Sequence, residues 1–270
     1  MKQRVITAII MLVIGLPILI YGKLPVVILG IVLSIIATQE MIDMKEHTAK
    51  LPLEVRLFTS VATLIMVYSS FNFSTLSFSE TYETGLGILA LILFVLLLVV
   101  VIRQSFTIKD AGYCLLTIFY VGATFHSLLF IRFTGFLLFL FMVLVVAVTD
   151  SGAYFVGRTL GKHKLAPHIS PKKTIEGSIG GTLLGVIIGT VFGLVTGLST
   201  DILLLIVLSV VVAVVGQIGD LVASSMKREY GIKDFGKLFP GHGGVLDRFD
   251  SHLYASLALY VVIQLWGVVI

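Results

Sequence analysis

Residues 85–102 read GLGILALILFVLLLVVVI, eighteen consecutive positions without a charge, a proline or an amide side chain. A helix that is apolar all round is enclosed by lipid or by other protein, because it has no face to give to water. A bilayer core takes about 20 apolar residues per helix, and Arg103 ends this run at a polar boundary. Runs of the same kind lie on both sides of it. They predict further spans at 5–22, 24–39, 56–72, 111–131, 134–156, 178–198, 202–225 and 252–270. The expected fold is therefore all-α, a polytopic integral membrane helical bundle of about nine transmembrane helices. The second run is short, and Gly22-Lys23-Leu24-Pro25 suits a tight hairpin with the first.

The whole chain agrees with its most apolar segment. Of 270 residues, 57% are hydrophobic and 13% charged, whereas soluble domains are about a quarter charged. The single cysteine, Cys114, excludes an internal disulfide and a CxxC metal motif, and it reads as a small buried hydrophobe. A net charge of +4 is a weak argument for nucleic acid, and no nucleic-acid partner is expected. The basic start Lys2-Gln3-Arg4 with its apolar run resembles a secretory signal, but the run is long and no small-x-small cleavage site follows. It reads as a retained first span.

Where the charges fall sets an orientation. With the N-terminus cytosolic, 17 of the 19 Lys and Arg residues lie on the cytosolic side, leaving Lys23 and Arg132 outside. Such a bias is expected of cytoplasmic loops. On this reading residues 1–140 supply N-terminal transmembrane helices. Residues 141–270 are expected to form the catalytic transmembrane region, for the ionisable residues that they carry, with cytosolic loops 157–177 and 226–251, both mixing Gly, Pro, His and charges of either sign. Loop 73–84, with Glu80 and Glu83, reads as a plain external connector. Glycines 177, 181, 185, 189, 193 and 197 recur every four residues. That ridge lets helix backbones approach closely and drifts around a straight helix, so it serves two or more neighbours or a dimer partner.

Ionisable groups inside spans default to function. Asp220 lies seven residues before Lys227, about 10 Å deeper along a helix. Ser224 falls between them on the same face, so a carboxylate, a hydroxyl and an ammonium form one stripe. Asp247 and Asp250 are three apart at the entry to the last span. They read either as helix-start residues suited to capping and the macrodipole or, with Asp220, as ligands of a hard divalent cation. Mg2+ takes a few carboxylates together with substrate phosphates and water. Arg228, Lys233, Lys237, His242 and Arg248 surround these acids in sequence and suit phosphate oxygens. The run Pro240-Gly241-His242-Gly243-Gly244 offers backbone N–H groups to phosphate or is an ordinary turn. Ser170-Pro171-Lys172-Lys173-Thr174 opens the seventh span with two lysines and two hydroxyls, which suits an anion or a positive-inside anchor. Asp150, near the end of the sixth span, either faces this site or pairs with Lys173. No HExxH spacing or Gly-x-Ser-x-Gly context occurs, so direct phosphoryl chemistry is favoured over a covalent enzyme intermediate. His126 reads as a satisfied bundle residue.

Three stretches carry a resemblance: Ser224-Ser225-Met226-Lys227-Arg228, Lys233-Asp234-Phe235-Gly236, and Phe239 to Asp250 read as FPGHGGVLDRFD. Together they resemble the signature of the phosphatidate cytidylyltransferases, also called CDP-diacylglycerol synthases. SPKKTIEG and Asp150-Ser151-Gly152-Ala153-Tyr154 are similar to that family as well, so the likeness covers roughly 150–250. It implies transfer of CMP from CTP to phosphatidate with Mg2+, possibly with a second cation, by a homodimer in the cytoplasmic membrane whose active site faces the cytosol. It also implies that Asp220, Asp247 and Asp250 hold the metal. Asp220, Lys227 and Asp247 are then expected to be catalytic. Ser170, Lys172, Lys173, Ser224, Arg228, Lys233, His242 and Arg248 are expected to bind substrate. Lys227 and Arg228 would hold phosphates beside the metal, while Lys172 and Lys173 would steer or hold CTP. A related lipid-phosphate cytidylyltransferase or a CTP-dependent lipid kinase uses similar groups. An ion-coupled transporter would use Asp150 and Asp220, but no internal repeat of the kind transporters show is present.

Overall fold

The computed structural model describes residues 2–78 and 85–266. Among them the helices are α1 (Lys2–Tyr21), α2 (Lys23–Glu46), α3 (Leu53–Val67), α4 (Gly85–Ile102), α5 (Ile108–Thr134), α6 (Phe136–Leu160), α7 (Ile175–Val195), α8 (Ile202–Glu229) and α9 (Leu246–Trp266). Two short antiparallel pairs qualify the all-α expectation: β1 (Phe71–Asn72) with β2 (Ser77–Phe78), and β3 (Lys164–Ala166) with β4 (Ser170–Thr174). Each predicted span has a helix, and α4 keeps the bounds of the run that decided the fold. The last predicted span ends outside the described residues, as does the second half of the connector 73–84, with Glu80 and Glu83.

Among the described residues five helices, α2, α5, α6, α7 and α8, are long and apolar enough to cross a membrane. The chain is an α-helical, multi-pass membrane protein on that evidence. The remaining predicted spans differ from the five for visible reasons. α3 has 15 residues, which at 1.5 Å each is about 22 Å and shorter than a bilayer core of about 30 Å. α9 begins with Asp247, Arg248 and Asp250 inside its first turns. α1 and α4 contribute the shorter apolar stretches Ile6–Tyr21 and Gly87–Ile102.

Two compact units make up the chain. The first comprises residues 1–129 with 234–247, and the second 130–233 with 248–270. The sequence division at 140 was into contiguous pieces, whereas the structural units interleave: part of the 226–251 loop belongs with the N-terminal helices.

In the first unit α1 and α2 are joined through the single residue Gly22, whose φ of 72° suits glycine. The core gathers Ile42, Leu51, Val55, Ile92, Leu96, Phe106, Cys114 and Ile118. Three polar groups in this apolar setting find partners within the protein, as lipid favours. Tyr113 donates to the Met41 carbonyl at 2.6 Å, Lys45 meets Asp110 at 2.9 Å, and His126 Nδ1 bonds the Val67 carbonyl at 2.9 Å.

In the second unit α7 lies against α6 along its glycine ridge. A Cβ at Gly177 would stand 2.6 Å from the Ala153 carbonyl, and one at Gly181 would run into the Thr149 carbonyl. Further along, Gly189 abuts Val145 and Ser209, and Gly193 abuts Leu205 of α8. The ridge therefore passes from α6 to α8 as it winds and serves two neighbours within the chain. Gly197, at φ 69°, ends the helix: Leu198 N–H returns to the Gly193 carbonyl at 2.9 Å.

Candidate functional site

The second unit carries a cluster of acids and lysines drawn from four elements. Asp150 comes from α6, Lys173 from β4, Asp220, Ser224 and Lys227 from α8, and Asp250 from α9. Lys173 Nζ meets Asp220 Oδ2 at 2.5 Å, with both side chains about a third exposed. Ser224 Oγ donates to Asp220 Oδ1 at 3.3 Å, so the stripe read from the sequence exists at its first step. Asp150 shares a side-chain hydrogen bond with Ser251, and its carboxylate feels both Asp220 and Lys173. The two alternatives for Asp150 thus merge: it faces the site, while Lys173 gives its close contact to Asp220. Asp250 feels Asp220, Asp150 and Lys227, and the Lys227 side chain is buried.

The local folding that places these groups is specific. Thr174 ends β4 and caps α7, its Oγ1 accepting from Gly177 N at 3.2 Å. Strand register sends Lys173 to one side of β4 and Lys172 to the other, where it is exposed. Glu176 pins the start of the hairpin by accepting from the N–H groups of Lys162 and His163 and bonding His163 Nδ1 at 2.6 Å. Arg228 Nε donates to the Ile169 carbonyl at 3.3 Å and its NH1 to the Ile232 carbonyl at 3.2 Å. This guanidinium ties the tip of the β3–β4 hairpin to the chain after α8. The tight antiparallel hairpin replaces most of the irregular loop expected at 157–177. α8 also continues four residues past the predicted 225, to Glu229, because no glycine interrupts it before Gly231 at φ 66°.

The remaining expected residues lie as follows. Lys233 and Arg248 are exposed, and Ser170 opens β4 partly buried. His242 and Asp247 belong to the first unit, in the segment 234–247. There Asp247 Oδ2 accepts from Phe235 N at 2.7 Å and from Gly244 N at 2.9 Å. Phe239 N–H bonds the Gly243 carbonyl at 2.9 Å and His242 N–H the Phe239 carbonyl at 2.8 Å. The N–H groups of His242 and Gly244, which the sequence offered to phosphate, are thus engaged in the loop's own turn. A residue outside the sequence expectations completes this loop: Glu40 of α2, buried at 6% exposure, accepts from Val245 N at 2.7 Å and Leu246 N at 2.9 Å. One signal for it was present. Glu40 ends an apolar run and has no cation three or four residues away, so its partner had to come from elsewhere in the chain.

Among the described residues no three His, Cys, Asp or Glu side chains gather closely enough to hold a metal by themselves. The donor chemistry still fits Mg2+, which is bound by one or two carboxylates with the rest of its shell from substrate phosphate and water. Three carboxylates against two lysines leave the cluster short of positive charge.

A helical membrane protein with a lysine-compensated acid cluster at the ends of its spans has the equipment to handle phosphates at a lipid surface. The Cytidylyltransferase family matches this chain over residues 2–266, and the chain belongs to that family. It is 37% identical to the phosphatidate cytidylyltransferase of Bacillus subtilis over 99% of both chains. It is 38% identical to that of Staphylococcus epidermidis over 97% of this chain and 99% of the relative, and 35% identical to that of Staphylococcus aureus over the same shares.

Proposed function

We propose that this protein transfers CMP from CTP to phosphatidate, giving CDP-diacylglycerol and pyrophosphate. A phosphatidate phosphate oxygen attacks the α-phosphorus of CTP, the bond from that phosphorus to the bridging oxygen breaks, and pyrophosphate leaves with the electron pair. The observation that carries this reading is the Lys173–Asp220 pair at 2.5 Å with Asp150 and Asp250 coupled to it. Such a group neutralises two polyanions where lipid and cytosol meet. Full-length similarity to phosphatidate cytidylyltransferases supports the choice of substrates.

In this reading Asp220, Asp250 and Asp247 would hold Mg2+, and a second cation would be shared with the nucleotide. The metal would supply charge neutralisation at the α-phosphate and the departing pyrophosphate. Lys173 releases Asp220 when phosphate arrives and takes a phosphate oxygen in its place, and Lys227 does the same beside Asp250. Ser224 and Ser170 donate hydroxyl hydrogen bonds, while exposed Lys172, Lys233 and Arg248 draw CTP from solution. Arg228 holds the hairpin that presents Lys173. His242 lies in the signature turn, close to where the family resemblance places substrate. The nucleophile is already an anion, so positioning and charge stabilisation supply most of the catalysis. The enzyme works as a homodimer in the cytoplasmic membrane, with about nine spans, its N-terminus in the cytosol and this site facing the cytosol.

Purified protein in detergent, given labelled CTP, phosphatidate and Mg2+, should yield labelled CDP-diacylglycerol. Chelating the metal should stop the reaction. Asp220→Asn and Asp247→Asn should each lower kcat by at least about 100-fold, the scale of one lost electrostatic contact in a transition state, with thermal unfolding little changed. No lipid nucleotide from the unaltered protein would overturn the enzyme reading, and full activity in both variants would overturn the metal assignment.

A further inference from the structure

The signature loop is held from the far end of the sequence. Residues 234–247 curl so that three successive backbone N–H groups at the start of α9, those of Gly244, Val245 and Leu246, all point at carboxylates. Asp247, in the first turn of α9, takes the first by reaching back to Gly244, ahead of its own helix. Glu40 takes the other two, one on each oxygen, from 205 and 206 residues away. The same carboxylate explains two glycines of the signature. A Cβ at Gly236 would stand 2.5 Å from Glu40 Oε1, and one at Gly244 would collide with it. A second tie comes from α1, where Thr7 Oγ1 donates to the Pro240 carbonyl at 3.1 Å.

We infer that Glu40 is a positioning residue for the reaction: it sets the entry of α9, and with it the aim of Asp247, by occupying the Val245 and Leu246 amides. This rests on the activity proposed above. The physical case is that a buried carboxylate with both oxygens matched to N–H donors cannot shift without leaving charge and amides unpaired in an apolar setting. Asp247 already gives Oδ2 to Phe235 and Gly244, so its carboxylate plane follows the loop's path. If Glu40 lets go, the loop and Asp247 move together. The N-terminal helices are then part of the catalytic apparatus and more than anchors.

Glu40→Gln is the informative change. Its amide keeps one acceptor and turns an NH2 group toward the second backbone N–H, so one of the two bonds is replaced by donor against donor. Glu40→Asp keeps both acceptors but withdraws them by one methylene. Glu46→Gln, which removes a surface partner of Arg56 on the same helix, is the control. We expect kcat to fall about 10- to 100-fold in Glu40→Gln, the effect of misplacing a group by an ångström or less. Glu40→Asp should fall between it and the unaltered protein, and Glu46→Gln should equal the latter. KM for CTP should move less than kcat. Independently of activity, hydrogen exchange at residues 244–246 should speed up in Glu40→Gln and stay slow in Glu46→Gln. Unchanged exchange at these amides would overturn the inference, as would an unchanged kcat per folded molecule. An inactive unaltered protein with faster exchange in Glu40→Gln would leave Glu40 holding the loop and overturn only the choice of reaction.

Discussion

Lys173 reaches Asp220 from a strand, and its value lies in what it can let go. An ion pair this exposed contributes about 0–1 kcal/mol to stability, so its presence is weakly explained by folding. It is well explained by a site that must stand empty between turnovers with three carboxylates close together. Lys173→Met is therefore expected to leave thermal unfolding within a few degrees of the unaltered protein. It should lower kcat/KM for CTP by about 10- to 100-fold, the loss of one hydrogen bond from a charged donor at about 1.5–3 kcal/mol. Steady-state kinetics against CTP, beside a melting curve, checks both halves. Asp220, Ser224 and Lys227 were legible in the sequence because helical spacing alone puts them on one face. The Lys173–Asp220 contact was not legible: the sequence offered Asp150 as the acid for Lys173, and the partner depends on which side of a short strand each of two adjacent lysines takes. Glu40 was missed because its partners are backbone amides, which leave no residue type to match.

At the scale of elements, the α6–α7 seam fixes the distance between Asp150 and Lys173. Its closeness comes from glycine. A Cβ at Gly181 would meet backbone atoms of Thr149 and Ala153, which cannot swing aside as a side chain could. Gly181→Ala should cost about 1–3 kcal/mol by overpacking, and with it activity, because the strand bearing Lys173 runs directly into α7. Leu183→Ala, on the outward face of the same helix at 59% exposure, should change stability by less than about 0.5 kcal/mol. Thermal unfolding in detergent distinguishes the two. The helices themselves were readable because an unbroken apolar run has few alternatives. Their ends were not, because capping decides them. α8 runs on through the polar Lys227-Arg228-Glu229 until a glycine can turn, and Thr174 starts α7 ahead of its apolar stretch. The β3–β4 hairpin is held by Glu176 and Arg228 through backbone groups, and no alternation of apolar and polar residues announces it.

For the whole molecule the open quantity is sidedness, and the short α3 is where it turns. If α3 crosses with the other eight helices, loops 161–174 and 230–245 share the cytosolic side with the N-terminus, and residues 197–201 lie outside. If α3 stays on one side, every later loop changes sides. The lysine and arginine distribution favours the first arrangement, since the second would place most basic residues after α3 outside. Thiol labelling decides it, because the protein's one cysteine, Cys114, is buried at 1% exposure and silent. In intact cells a membrane-impermeant maleimide should modify a Ser199→Cys variant, while Lys164→Cys and Lys237→Cys should react only after the membrane is opened. Labelling of Lys164→Cys from outside would put Lys173 and its acids on the face that CTP does not reach, and the proposed reaction could not run there.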